Sequence, residues 1–340
     1  WLDMGLRPRA VTRDLEWGIK LPLEGEEWVG KCVYVWFEAV QGYYSCARIW
    51  AEKFAHSAGH SDGIDAWGKW WKISENNSQP RHLYFLGKDN IPFHTVIWPA
   101  LIMGINHANN GLSSTDSINL PSAGDLNLEY NVPAMEYLML AGGQFSKSRK
   151  HAVWLPSFLE RFDPDTLRYY LGINMPENHD SDFNWPDFVE RVNSELIATY
   201  GNFIHRVLTL GSRLPAEDGE NPLSRYDDFD LIGDAPLRVA EIHTQITDSL
   251  EAHRYKEALR GMMSVAQLGN QIIQSAEPWK FLKEGECDSP AGQESLAHLA
   301  FGWRIARYLA IVTQPFIPFS AQRLWNDLGY EGAVEDVAWE

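Results

Sequence analysis

Short apolar runs alternate with turns and helical stretches in the first third of the chain. Residues 33–37 and 83–86 are apolar runs that each predict a buried strand. The second run leads into residues 87–90 (GKDN), and an apolar pattern with helical spacing follows. A strand, a glycine turn and a helix form the unit of a parallel α/β sheet, whose ligands bind beyond the carboxyl ends of the strands. We therefore expect His94, one turn into this helix, to face that crevice.

The pattern changes between residues 105 and 133, where Asn, Ser, Gly and Pro are frequent and a long loop is predicted. Residues 134–140 are predicted to return as a strand, which leads into a Gly-Gly pair. Asp163, followed by a proline and a second aspartate, is predicted to begin a helix that continues through Tyr170.

The rest of the chain has helical periodicity. Asn184 is predicted to cap a helix, with Pro186 and Asp187 in its first turn. Apolar residues then recur at helical spacing, at Val189, Val192, Leu196, Tyr200, Phe203 and Val207. After a linker near residues 211–235, helical patterns cover residues 236–283 and 293–328, so a helix bundle is predicted.

The composition narrows the functional classes. The chain has 340 residues, 45% hydrophobic and 22% charged, which is typical of a globular protein with two or three packed parts. A formal net charge of −17 argues against non-specific nucleic-acid binding, although a local basic strip can still bind RNA. No apolar run approaches the ~18 residues of a membrane span, so no membrane partner is expected.

Three cysteines, Cys32, Cys46 and Cys287, lie far apart and form neither a metal-binding spacing nor a disulfide framework. Reduced thiols and a cytoplasmic location are therefore expected. The chain begins at Trp1 without an initiator methionine, and we expect it to be a fragment of a longer protein.

Residues 142–150 (GGQFSKSRK) carry the strongest chemical signal. Two glycines can act as a hinge, and two hydroxyls and three cations follow within seven residues. Clustered cations stabilise the charge on a leaving phosphate, where one well-placed donor contributes roughly 10²–10³ in rate. Alone, such a segment is more often a solvated basic loop, so its setting decides between the two interpretations.

Seven segments, taken in order, resemble methionyl-tRNA synthetase, a class I aminoacyl-tRNA synthetase. They are residues 12–19 (TRDLEWGI), 33–39 (VYVWFEA) with 42–43 (GY), 85–94 (FLGKDNIPFH), 98–100 (WPA), 145–148 (FSKS), 165–171 (DTLRYYL) and 176–185 (PENHDSDFNW). One such motif is weak evidence, but the ordered set spans nearly the whole chain.

The resemblance implies an α/β, partial Rossmann-like nucleotide-binding fold followed by an all-α anticodon-binding domain. Residues 1–120 would be the second half of the catalytic domain, 121–187 the KMSKS loop with a stem-contact module, and 188–340 the helical domain. The half with the HIGH signature and the inserted zinc-knuckle domain would precede Trp1. No metal site is expected here, because His56 and His60 have the wrong spacing for zinc and suit a polar loop.

The implied reaction joins L-methionine to the α-phosphate of ATP and then transfers the methionyl group to tRNA(Met). Lys147, Ser146 and Ser148 are the expected catalytic residues, and Lys147 would contact the β- and γ-phosphates of ATP. Gly87 and Asp89 match the family's ATP-ribose site, and Mg²⁺ is expected with the nucleotide. These roles follow from the resemblance.

Several positions depart from the family's pattern, among them Glu38, Gln41 and Asn90 near the expected pocket. Gln144 stands where a lysine is usual, Lys150 where a glycine is usual, and Val40 where a proline is frequent. The sequence alone leaves their effect on activity open.

The thioether of methionine accepts weak hydrogen bonds and packs well against aromatic edges. The resemblance implies a methionine pocket lined by Trp36, Ala39, Tyr43, Asn90, His94 and Trp98. Tyr43 and His94 can each offer a hydrogen to the sulfur. For Trp36 and Trp98, ordinary core packing is the alternative.

Asn202 and Arg206 are four residues apart and hence lie on one helix face. Side chains of both types can read the Watson–Crick edge of an unstacked base, and Trp279 offers a stacking surface worth ~1–3 kcal/mol per base. The resemblance implies that these three residues, with Asn270 as a weaker candidate, read a CAU anticodon. For Arg206 alone, a surface salt bridge is the alternative.

The leading hypothesis is a part of a methionine–tRNA ligase that is inactive without the remainder of the enzyme. Another class I synthetase, for leucine, valine, isoleucine or cysteine, is one alternative, against which Trp36, Tyr43 and His94 speak. A tRNA-binding module without catalysis is the other.

Overall fold

The computed structural model describes residues 2–73, 80–111, 126–214, 223–226, 228–282 and 286–339. The chain divides into two compact units, Trp1–Met135 and Glu136–Glu340. The predicted order, an α/β part followed by a helix bundle, is confirmed. Residues 112–125 of the predicted loop and 215–222 of the predicted linker lie outside the described residues.

The first unit combines α-helices with short strands. The helices are α1 (Val35–Ala39), α2 (Gly42–Lys53), α3 (Gly68–Trp71) and α4 (Trp98–Gly111). The strands are β1 (Thr12–Asp14), β2 (Lys31–Val33), β3 (His82–Leu83), β4 (Leu86–Gly87), β5 (Glu129–Asn131) and β6 (Ala134–Met135). β1 and β2 pair in antiparallel fashion, whereas β3 with β5 and β4 with β6 form parallel pairs.

The prediction of a strand at residues 33–37 is confirmed only at Val33, where β2 ends. It is wrong for the following residues, because α1 begins at Val35. The Glu38 amide donates to the Tyr34 carbonyl and closes a helical turn. A five-residue apolar run fits a buried strand and a buried helical turn equally well, so periodicity does not separate them.

The strands predicted at residues 83–86 and 134–140 are each divided in two. β3 ends at Leu83 and β4 begins at Leu86, and each has a different strand partner. Likewise, residues 134–140 contribute β6 to the first unit and a separate strand to the second. The helix after residue 90 is confirmed, but it begins with a π-helical turn, Phe93–Ile97, and α4 extends to Gly111, beyond the predicted start of the loop.

Aromatic side chains dominate the core of the first unit. Trp67, Trp71, Tyr84 and Trp98 are buried together, and Val40 lies among them. The Trp71 and Trp98 rings meet edge to face at 6.1 Å. Such pairs contribute about 0.5–1.5 kcal/mol beyond their buried area, so this core depends on ring geometry as well as on area.

The second unit opens with a three-stranded sheet in the order β8-β7-β9. These strands are β7 (Leu138–Leu140), β8 (Gly143–Gln144) and β9 (Ser181–Phe183). Two helices, α5 (Leu155–Leu159) and α6 (Pro164–Ile173), lie between β8 and β9 in the chain. As predicted, Asp163 begins α6, since its side chain accepts a hydrogen bond from the Asp165 amide at 3.0 Å.

The helix bundle follows, as predicted. Its α-helices are α7 (Trp185–Arg191), α8 (Asn202–Gly211), α9 (Ala235–Glu251), α10 (Tyr255–Ala276), α11 (Pro290–Thr313) and α12 (Pro318–Asp327), and a π-helix, Val192–Gly201, joins α7 to α8. Asn184 caps α7 by accepting from the Asp187 amide at 2.9 Å. No helix in the described part of the chain is both long enough and apolar enough for a membrane span.

Most of the predicted apolar stripe lies in the bundle core. Val192, Tyr200, Phe203 and Val207 are buried, whereas Val189 is 46% exposed. Tyr200, Phe203 and Val207 pack with residues of α10 and α11 in one large cluster, whereas Val192 packs in a separate cluster with Tyr170 and Phe188. The stripe therefore fixes which side of this helix faces the core and which side remains available to a partner.

Candidate functional site

Tyr43 and His94 form the polar centre of the predicted methionine pocket. The Tyr43 hydroxyl in α2 lies 2.9 Å from Nε2 of the buried His94. Nδ1 of His94 lies 3.0 Å from the Asn90 carbonyl oxygen, which can only accept, so Nδ1 carries a hydrogen. Nε2 of the neutral ring then accepts from Tyr43. The hydroxyl hydrogen of Tyr43 and the Nδ1 hydrogen of His94 are thus both engaged in hydrogen bonds within the protein, rather than free to reach a thioether.

The two tryptophans of the predicted pocket differ in their surroundings. Trp36 is 46% exposed, and its ring lies 5.6 Å from the Phe93 ring. Trp98 is 1% exposed, and its indole nitrogen donates to the Tyr84 hydroxyl at 3.0 Å. Trp36, like the exposed Ala39, therefore has surface for a ligand, whereas Trp98 packs in the core.

Two further residues belong to this cluster, although sequence reasoning did not find them. The Tyr84 ring lies 5.1 Å from the Tyr43 ring and 5.6 Å from the His94 ring, and burial raises the pKa of its hydroxyl. Burial also raises the pKa of the Glu129 carboxyl in β5. The only sequence signal was the position of Tyr84 in an apolar run before a glycine turn; Glu129 had none.

The predicted ribose site lies where β4 ends. Gly87 is the last residue of β4, and a 3₁₀ turn, Lys88–Asn90, follows and exposes Asp89. A Cβ added to Gly87 would meet no atom within 4 Å. The backbone is thus accessible here, and a carboxylate stands two residues further on, as a ribose site requires.

The predicted catalytic loop is a tight hairpin in the second unit. Ser146 and His151 exchange two backbone hydrogen bonds of 2.9 Å, and Lys147 is exposed at the turn between them. The hydroxyls of Ser146 and Ser148 lie 3.3 Å apart. Lys150 has a φ of 55°, in the left-handed region that costs a non-glycine residue about 1–2 kcal/mol. The backbone therefore keeps a shape that suits the family's usual glycine.

The four residues predicted to contact RNA lie together on the helix bundle. Oδ1 of Asn270 is 3.4 Å from Nδ2 of Asn202 and 3.5 Å from Nη1 of Arg206. The Arg206 guanidinium carbon lies 5.6 Å from the centre of the Trp279 ring. Nδ2 of Asn270 donates to the Thr199 carbonyl at 2.9 Å, which fixes the direction of this amide. Residues from α8, from α10 and from the turn after α10 thus meet at one place.

Neutral groups surround the Arg206 guanidinium. Its Nη2 donates to the Gln274 side-chain oxygen at 3.0 Å. Across the described ranges Arg206 forms no ion pair, so the salt-bridge alternative is not supported. The positive charge is therefore available to a nucleic acid despite the acidity of the whole chain.

Two family models match the chain. The one described as tRNA synthetases class I (M) covers residues 1–208, and the one described as the anticodon binding domain of methionyl tRNA ligase covers residues 225–340. The chain belongs to the class I tRNA synthetases (M). The resemblance carried by the seven sequence segments is thus confirmed.

Curated proteins named methionine–tRNA ligase are similar over nearly the whole chain. The protein from Roseiflexus sp. (strain RS-1) is 41% identical over 336 residues, which cover 98% of this chain and 51% of that protein. The one from Dehalococcoides mccartyi (strain CBDB1) is 40% identical over 342 residues, covering 100% and 54%. This chain therefore spans about half the length of the curated relatives it matches.

A solved structure of Mycobacterium tuberculosis methionyl-tRNA synthetase in complex with methionyl-adenylate has the same fold. Its TM-score is 0.67 at 23% identity, and the match covers 97% of this chain and 56% of that one. At this identity the likeness establishes the fold, whereas the residue roles depend on the geometry described above.

Proposed function

We propose that this chain is a functional part of a methionine–tRNA ligase, which activates L-methionine with ATP and transfers it to tRNA(Met). The observation that carries the proposal is the meeting of Asn202, Arg206, Asn270 and Trp279 at one place on the bundle. Residues 68 positions apart in the chain come within hydrogen-bond distance there. Similarity to curated proteins named methionine–tRNA ligase supports the same activity.

The first unit would bind the amino acid and the nucleoside. Trp36, Ala39 and the Tyr43–His94 pair would enclose the methionine side chain with aromatic edges, which suit a polarisable sulfur. Asp89 would accept the ribose hydroxyls. An apolar pocket of this kind separates ligands that differ by one methylene by only ~1–3 kcal/mol, so close analogues of methionine would also bind.

Lys147 would stabilise the pyrophosphate that leaves when the methionine carboxylate attacks the α-phosphate of ATP. Its position at an exposed turn, flanked by two serine hydroxyls, suits contact with phosphate oxygens. The described residues contain no group of three potential metal ligands. Mg²⁺ would therefore be held by ATP phosphates and water, which is its usual coordination with nucleotides.

The bundle would read the anticodon triplet CAU. Trp279 would stack on one unpaired base, while Arg206 and Asn202 donate hydrogen bonds to base edges. This needs a few placed groups rather than a basic field, and so it is compatible with the net charge of −17. The wide spacing of Cys32, Cys46 and Cys287 in the sequence is typical of reduced thiols, and we propose a cytoplasmic location.

The test is the binding of this chain to fluorescent anticodon stem-loops. Arg206→Ala is expected to weaken binding of the CAU stem-loop roughly 10- to 100-fold, because a base-contacting arginine contributes about 1–3 kcal/mol. Arg238→Ala removes the same charge from an exposed position in α9 and serves as the control. Equal affinity for CAU and for altered triplets would refute the proposal.

The tRNA-binding module without catalysis is the competing function. Methionine-dependent ATP–pyrophosphate exchange by the full-length gene product distinguishes the two, since a module without catalysis would show none.

A further inference from the structure

His151 closes the hairpin that carries Lys147, and none of the roles above uses its side chain. Its Nε2 lies 2.8 Å from the carbonyl oxygen of Leu140, the last residue of β7. Because a carbonyl oxygen can only accept, Nε2 carries a hydrogen and the imidazole is the donor.

The imidazole also approaches the backbone at Gly143 closely. A Cβ added to Gly143 would lie 3.1 Å from Nε2 and 3.6 Å from Cδ2 of His151. The first distance is shorter than ordinary van der Waals contact, so even an alanine here would press the ring away from the Leu140 carbonyl. Gly143 does not have a left-handed backbone, and the absence of a side chain matters at this position because it leaves room for the ring.

Backbone and side-chain bonds hold the glycine pair before the hairpin. The Gly142 amide donates to Oδ1 of Asp182 at 2.8 Å, and the Ala141 amide donates to the Phe183 carbonyl at 3.1 Å. The turn expected to act as a hinge is thus bonded to β9 in this structure. His151 adds a bond from the other arm of the hairpin to β7.

We propose that His151 is a positioning residue, whose imidazole fastens the returning arm of the hairpin to the end of β7 and so fixes the direction of Lys147. The hairpin carries three like charges, on Lys147, Arg149 and Lys150, which repel one another and favour an open loop. The Nε2–Leu140 bond opposes that opening. This inference rests on the proposed role of Lys147 in phosphate binding.

Limited proteolysis of this chain tests the fastening without any assay of activity. Trypsin cuts after the three cations of the hairpin, and local opening controls the rate of such cuts. His151→Ala is expected to speed cleavage there roughly fivefold, the factor for one lost net hydrogen bond. His151→Gln, which can place an amide N–H near the same carbonyl, is expected to restore slow cleavage. Gly143→Ala is expected to behave like His151→Ala.

His298→Ala is the matched control. Its imidazole also lies at hydrogen-bond distance from a backbone carbonyl, that of Glu294 at 2.8 Å, but on the exposed face of α11. It should leave cleavage of the hairpin unchanged. Unchanged cleavage in His151→Ala would overturn the proposal. Faster cleavage throughout the chain, with a lowered unfolding midpoint, would also overturn it. Either result would show that His151 does not hold the hairpin specifically.

Pyrophosphate exchange by the full-length gene product tests the consequence for Lys147. His151→Ala is expected to lower kcat about tenfold while KM for methionine stays within about twofold, since misplacement of a catalytic group costs rate. Lys147→Ala sets the upper limit, roughly 10²–10³-fold. Faster cleavage with unchanged kcat would refute the positioning role. Absence of exchange in the wild-type protein would instead refute the proposed function, and the proteolysis result would still stand.

Discussion

The proposed RNA-contact cluster of the bundle (Asn202, Arg206, Asn270 and Trp279) and the aromatic pocket of the first unit are built in different ways. In the cluster, three of the four side chains stand on the α-helices α8 and α10, above a core in which Phe203 is completely buried, and Trp279 follows from the turn after α10. In the pocket, Tyr43 and His94 come from the start of a helix and from a π-helical turn, among strands of two or three residues. The geometry of the cluster therefore depends on helix packing, whereas that of the pocket depends on single hydrogen bonds.

The largest effect is expected where a substitution disturbs helix packing beneath the cluster. A Cβ added to Gly269 in α10 would lie 2.4 Å from Cε2 and 2.6 Å from Cζ of Phe203, which is a rigid buried ring. Gly269→Ala is expected to lower the free energy of unfolding by about 1–3 kcal/mol through overpacking. It should also weaken CAU stem-loop binding, because Phe203 adjoins Asn202. Urea unfolding and stem-loop titration measure the two effects.

Gly104 provides the matched control for this substitution. It lies inside α4 in the first unit, and a Cβ added there would meet no atom within 4 Å. Gly104→Ala is expected to raise the free energy of unfolding by about 0.5–1 kcal/mol, since alanine favours helix where space allows. If both substitutions destabilised the chain equally, contact with Phe203 would not be the cause.

A smaller effect is expected from the loss of one hydrogen bond in the pocket. Tyr43→Phe removes the donor to Nε2 of His94 and leaves that buried nitrogen unpaired. KM for methionine in pyrophosphate exchange by the full-length gene product is expected to rise about fivefold, the factor for about 1 kcal/mol. CAU stem-loop affinity should not change.

The neighbouring Tyr44→Phe is the control for the pocket. Its hydroxyl accepts from Arg48 at 2.9 Å within the same helix and has no contact with His94. KM for methionine should stay at the wild-type value. A rise as large as that of Tyr43→Phe would show that the effect comes from α2 as a whole rather than from the hydrogen bond to His94.

The same contrast explains how far the sequence predicted the fold. The helix starts at Asp163 and Asn184 were predicted correctly, and so was the apolar stripe around Phe203. Helix caps and helical periodicity are local signals, and packing reinforces them here. Residues 33–37 were assigned to a strand in error. Their assignment depends on which neighbours they pair with, and that information is not local.

The candidate sites show the same limit. The spacing of Asn202 and Arg206 placed them on one helix face, and the structure brings Asn270 and Trp279 beside them. The sequence did not indicate a role for Tyr84, Glu129 or His151, because their partners come from other segments of the chain. A side chain that acts through a non-local hydrogen bond or through burial need not recur at helix or strand spacing, so the sequence pattern does not reveal it.

The smallest expected effect concerns a single backbone angle in the hairpin that carries Lys147. Lys150 has a φ of 55°, which glycine adopts without steric cost. Lys150→Gly is expected to raise the free energy of unfolding by up to about 1 kcal/mol, because relief of this strain exceeds the entropy that glycine adds to the unfolded chain. Arg149→Gly, at the preceding position without a left-handed angle, is expected to lower it by about 0.5–1 kcal/mol. The urea unfolding midpoints of the two variants, compared with that of the wild-type chain, measure these changes in the free energy of unfolding. Equal destabilisation would mean that the hairpin relaxes around residue 150, and that its shape is less strictly held than the pocket geometry around His94.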